Sequence, residues 1–140
     1  MSLQDELDTI HGAAYSHEQY LEHVSGFLNQ LNRAAGNERI REYLEVLGSD
    51  NQSLDISFLG RVYRVHTDIL SRPPSKPVRL IFSRVVFEGD AEKEIEISSA
   101  YMDNNGVISA EIEDLGQFRA SDSSKTPRLL VSWLATACNA

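Results

Sequence analysis

The sequence predicts an α+β fold, with helices first, an antiparallel β-meander of about four strands next, and one further element at the end. Three observations carry this reading. Apolar residues recur at helical spacing as far as Gly48, the period shortens to two from Leu54, and Asn105-Gly106 stands between two alternating runs like a hairpin turn. With 140 residues, 41% hydrophobic and 24% charged, the chain is expected to form one domain over 1–140 with a packed core.

Taking the elements in order, Ser2 and Asp5 resemble a capping arrangement, and Leu3, Leu7, Ile10 and Ala14 mark a first helix from Leu3 to Ala14. A second helix starts at a capping box, Ser16 with Gln19, flanked by Tyr15 and Tyr20 as a hydrophobic staple. Its inner face is Tyr20, Leu21, Val24, Phe27, Leu28 and Leu31, and Gly36 supplies its stop. Asn37 caps a third helix, in which Ile40, Tyr43, Leu44 and Leu47 fall at i, i+3, i+4 and i+7 before Gly48.

Ile56 and Phe58 then alternate on even numbers, and Tyr63, Val65, Thr67 and Ile69 on odd numbers. A bulge at Gly60 reconciles the two parities within one long bent strand. Pro73-Pro74 and Pro77 end it, and Val78 to Glu88 follows as a strand apolar on both faces. A loop over 89–92 would set Glu88 opposite Lys93 and put Arg84 on the core face with Leu80, Phe82, Val86, Ile95 and Ile97. A two-residue turn at Asn105-Gly106 would pair Asn104 with Val107. It would then place Ile95, Ile97, Ser99 and Tyr101 on one face with Ile108, Ala110 and Ile112. Thr126-Pro127 followed by Leu129, Leu130, Trp133, Leu134 and Ala137 fits a helix with Thr as cap and Pro first, a final strand being the alternative.

Charge is the most informative irregularity. The formal net charge is -8, so nucleic acid and anionic membrane are not the expected partners. By segment the net is -7 over 1–60, +5 over 61–84, -8 over 88–114 and +2 over 115–140. The basic stretch, with Arg61, Arg64, Arg72, Lys76, Arg79 and Arg84, lacks the interleaved aromatics of a single-strand platform. The acidic stretch puts Glu94, Glu96, Glu111 and Glu113 on the solvent face of the hairpin. They either keep the hairpin soluble and discourage edge pairing, or dock a protein with a basic surface.

Chemistry is sparse. His11, His17 and His23 are six residues apart on helices, which does not bring ligands together, and no metal site or cofactor is expected. Arg64, His66 and Asp68 alternate on one side of a strand, yet no nucleophile or oxyanion hole accompanies them. Asp103-Asn104-Asn105-Gly106 fails as a calcium loop, because the twelfth position would be Ile112. No phosphate or dinucleotide loop occurs. The single cysteine, Cys138, excludes an intrachain disulfide, and acids at Asp5, Glu6 and Asp8 are unlike a signal peptide, so the expectation is a soluble cytoplasmic protein.

These readings converge on a small acidic protein-binding module without catalysis, an adaptor, specialised chaperone or immunity-type inhibitor, holding its partner through Glu94, Glu96, Glu111 and Glu113. The alternative is a ligand-binding domain or general acid/base enzyme with a cleft between helix and sheet, using Tyr63, Arg84, Tyr101, His66 and Asp68. A homo-oligomeric scaffold is the third.

Overall fold

Helix formation from Leu3 runs without interruption to Ala34 and gives a 32-residue helix, α1. The computed structural model of the chain describes residues 2–37, 39–50, 52–68 and 78–139. Ser2 caps α1 as the spacing implies: its hydroxyl accepts from the Asp5 N–H and its own N–H donates to the Asp5 carboxylate, each at 3.2 Å. The expected break between two helices does not occur. Nothing between Ala14 and Gln19 forbids the helical backbone, and Gly12 alone costs only about 1 kcal/mol in propensity. Gln19 bonds the Tyr15 hydroxyl at 2.8 Å, one turn back, in place of serving a cap, and the Ser16 side chain lies outside the described residues.

The expected third helix is also absent. Asn37 makes one turn only, its Oδ1 accepting from Arg39 and its carbonyl from Ile40 and Arg41. The chain then enters β1 (Leu44–Ser49). Leu44 and Val46 sit opposite Phe58 and Ile56 in a ladder with β2 (Ser53–Phe58), so sheet pairing overrides the helical spacing. Nor is there one long bent strand. Leu59 and Gly60 both take positive φ, 50° and 78°, as a tight two-residue reversal requires, and β2 turns back into β3 (Arg61–Asp68). Phe58 then opposes Arg61 and Ile56 opposes Tyr63, which is the physical origin of the parity switch. Ile69, Arg72, Lys76, Pro73-Pro74 and Pro77 fall outside the described residues.

β4 (Val78–Glu88) and β5 (Ala91–Met102) form the longest ladder. Their turn is Gly89-Asp90, so Glu88 opposes Ala91 and not Lys93. A register shift between Phe82 and Ser83 leaves Ile97 as the extra residue of a bulge and returns Arg84 opposite Ile95. β6 (Val107–Ser109) and β7 (Gln117–Arg119) complete a seven-stranded antiparallel sheet in sequential order, more strands than expected.

The β5–β6 connection is one residue longer than the Asn-Gly signal suggests. The Asp103 carboxylate accepts from the N–H groups of Asn105 and Val107, at 2.8 and 3.0 Å, and Asp103 pairs with Val107. That makes a three-residue loop with only Gly106 at positive φ, 76°. Met102 therefore opposes Ile108 and Tyr101 opposes Ser109, and the inward set becomes Ala100 and Met102 while Tyr101 faces solvent.

The C-terminal segment is the helix α2 (Lys125–Cys138). Thr126 is not its cap: it is buried, donating to the Arg119 and Ala120 carbonyls, while Asp122 accepts from the Ser124 and Lys125 N–H groups. Leu129, Leu130, Trp133, Leu134 and Ala137 face inward as the spacing predicts. They join Val24, Phe27, Leu28 and Leu31 of α1 over one face of the sheet. An aromatic column holds the layers together. Tyr63 stacks on Phe82 at 5.3 Å, Phe82 on Trp133 at 5.5 Å, and Phe27 meets Trp133 edge-on at 6.3 Å.

Candidate functional site

The face of the sheet turned away from the helices carries the charge. Asp55, Arg64 and Ser83 lie side by side on β2, β3 and β4, because Asp55 opposes Arg64 and Arg64 opposes Ser83. Ser83 is small and buried, which lets the guanidinium reach across β4 towards β5. Arg64 is held by both oxygens of Asp55 (2.7 and 3.0 Å) and both of Glu92 (2.9 and 3.1 Å), with Glu94 at 3.5 Å. The Asp55 bond is the main reason its guanidinium ionisation is pushed up, and Arg64 in turn holds the Glu92 carboxyl below the ordinary carboxylate range.

His66, next on the same face, has its Nδ1 3.5 Å from Glu94 but outside hydrogen-bond geometry, so that buried nitrogen has no hydrogen-bond partner among the described residues. Arg79 pairs with Glu96. Two of the four acids expected to meet a partner are thus engaged by bases of neighbouring strands. Asp68 ends β3 and opposes Arg79. The row of Arg64, His66 and Asp68 is real as geometry, but its arginine is saturated by carboxylates. Among the described residues no group of three or more His, Cys, Asp or Glu could hold a metal.

Of the remaining alternative-site residues, Tyr63 and Arg84 are cross-strand neighbours and Tyr101 lies apart from them. Tyr63 is buried in the aromatic column, where Phe82 separates it from Trp133, and it borders a pocket of about 260 Å³ between Phe58, Leu59 and Arg61 on the sheet side and Ala137 and Cys138 of α2. Arg84 shares the Tyr63 face, as the parity argument implied, is half-buried opposite Ile95, and makes no hydrogen bond or ion pair among the described residues. Tyr101 is on the other face, opposite Arg79.

What the structure adds is an open strand edge. β5 pairs with β6 only through Tyr101 and Met102, and beyond Ser109 the chain leaves the ladder. Among the described residues no strand pairs with 91–100 of β5 on that side, and between residues 96–99 of β5 and residues 109–112 the gap is a groove of about 570 Å³. Glu96 and Glu111 line it together with Ser98 and Ser99. Glu111 and Glu113 are exposed and without ion pairs among the described residues; Glu113 lies in the turn that precedes β7. The sequence reading placed all four glutamates on one hairpin face. The structure brings Glu96 and Glu111 to one groove, ties Glu94 to Arg64 and His66, and sets Glu113 beyond. Asp55 and Glu92, the partners of Arg64, were missed. The signal for Asp55 was present, since a reversal at Leu59-Gly60 implies the 55–64 pairing.

The Arg64 cluster has a testable consequence. A carboxyl that ionises at lower pH when folded stabilises above the ordinary carboxylate range and loses that contribution as pH falls through it; Asp50 and Asp122, held down by backbone N–H groups, act with the same sign. Arg64→Met is expected to lower stability by about 1 kcal/mol near pH 7, after discounting for solvent screening. The loss should shrink as the pH is taken down to about 2, through the lowered ionisation of the folded-state Glu92 carboxyl. Urea unfolding at the two pH values measures this, and an equal loss at both would mean that the charges of the cluster do not matter.

No family model, no curated protein and no solved structure matches this chain. No helix among the described residues is long and apolar enough to cross a membrane.

Proposed function

We propose that this is a small cytoplasmic protein-binding module without catalysis of its own, of the adaptor, chaperone or immunity-protein kind, and that its partner presents a basic extended segment to the free edge of β5. The observation that supports this reading is the groove beside residues 96–99, where β5 backbone with no strand partner on that side among the described residues meets Glu96 and Glu111. An added strand gains main-chain hydrogen bonds there, and lysine or arginine side chains at alternate positions gain the acids. Glu96 would exchange Arg79 for the partner, whereas Glu111 and Glu113 have no base to give up among the described residues.

The test uses a labelled ten-residue peptide of alternating lysine and valine, with fluorescence anisotropy at low salt and at about 0.3 M salt. Binding should weaken severalfold with salt and on Glu111→Gln with Glu113→Gln, and less on Glu94→Gln. A peptide N-methylated at alternate residues, unable to extend the sheet, should not bind. Equal binding of the methylated peptide would reduce the effect to bulk charge attraction and refute strand addition.

A further inference from the structure

The first half of α1 is not packed into the core formed by the described residues. Every described side chain from residue 2 to residue 18 is exposed, whereas from Tyr20 onward the helix is built into the core. The exposed half is not uniformly polar. Leu3, Leu7, Ile10 and Ala14 follow spacings of four, three and four, with Leu3 70%, Leu7 39% and Ile10 61% exposed. The same alternation continues through His17 to Leu21, Val24, Leu28 and Leu31, the last three buried in the core. One apolar seam thus runs the length of α1. Its second half is covered by the sheet and α2, and its first half projects uncovered. Spacing of this kind is the signature of helix pairing.

We propose that residues 3–14 pair in parallel with the same residues of a second copy of this chain, forming a two-helix dimer contact. The flanks of the seam argue for a like partner. Glu6 immediately precedes Leu7 and His11 immediately follows Ile10, five residues apart, the separation at which the two flanks of a parallel pair meet. Two-fold symmetry therefore forms the Glu6–His11 contact twice, with imidazole N–H facing carboxylate. Asp5 and Asp8 lie on the far side of the helix, where their repulsion is screened by water. A basic foreign helix would instead bring cations beside His11. Two heptads would be too short for an isolated coiled coil, but here the helix is already nucleated by the part embedded in the core, so association need not also form it.

Sedimentation equilibrium between about 10 and 200 µM tests the contact. The expected mass is twice the 15.7 kDa of the chain. Leu7→Glu with Ile10→Glu should restore the single-chain mass without changing the far-UV dichroism of the body, because both positions are exposed. Thr9→Glu, on the outer side of the helix, should leave the dimer intact. In a Cys138→Ser background, Leu7→Cys should form an intermolecular disulfide on mild oxidation, since position 7 meets itself only in the parallel register. A wild type that stays at one chain mass, a dimer that survives the double substitution, or one that Thr9→Glu dissociates would overturn the contact. A dimer that Leu7→Cys cannot cross-link would overturn its parallel register. None of these readouts depends on the β5 groove.

Discussion

Replacing Trp133 with alanine is expected to cost about 3 to 5 kcal/mol, the range for removing a large aromatic from a core that cannot collapse around the gap. Trp133 is 1% exposed and joins α2 to two other elements: it stacks on Phe82 of β4, which stacks on Tyr63 of β3, and meets Phe27 of α1 at a steep ring angle. Its loss therefore uncouples α2 from both α1 and the sheet. Trp133→Phe should cost much less. A ring remains to stack, and the substitution removes the indole Nε1–H, which is buried with no hydrogen-bond partner among the described residues. Because this is the only tryptophan, urea unfolding should be followed by far-UV dichroism. Similar midpoints for Trp133→Ala and wild type would mean that the column does not hold the layers together.

Gly106→Ala is expected to cost about 2 to 3 kcal/mol, from two sources that can be separated. Gly106 has φ +76°, a conformation that L side chains rarely adopt, and a Cβ there would lie 2.5 Å from His23 Nδ1. The site is a junction: His23 presents α1 to the β5–β6 turn, and the Gly106 carbonyl accepts from Ala120 N–H at 2.8 Å, tying that turn to the lead into α2. The new methyl must expel the imidazole or shift the turn. In a double-mutant cycle, His23→Ala should recover the steric share of the loss, while the backbone share, about 1 to 2 kcal/mol, persists. Strict additivity of the two substitutions would show that the imidazole and the turn are not in contact.

These two sites also show where sequence reasoning reaches and where it stops. Leu129, Leu130, Trp133, Leu134 and Ala137 lie at one helical spacing, so the buried face of α2 could be read before its partners were known. The same holds for Tyr20, Val24, Phe27, Leu28 and Leu31 in α1, and for the Ser2 cap. Gly106 was legible as a turn but not as a register. The choice between a two- and a three-residue loop rested on whether the Asp103 side chain captured two N–H groups, and that one-residue difference turned Tyr101 out and Met102 in. The row of Arg64, His66 and Asp68 was legible as a row, but what it does was not, since Glu92 and Glu94 approach from two strands away.

The α+β class, helix before meander and the inward faces of the helical runs were thus readable from the residues alone, with the last element left open between helix and strand, because each depends on residues within a turn or two of one another. It took the folded chain to show that Ile40 to Leu47 leads into an edge strand, that Leu59-Gly60 reverses the chain, that the last element is a helix, and that among the described residues β5 keeps one free edge and the first half of α1 stands uncovered. Those outcomes depend on competition between a local preference and pairing with residues distant in sequence. A helical spacing of four apolar residues yields when a strand such as β2 offers Phe58 to Leu44 and Ile56 to Val46.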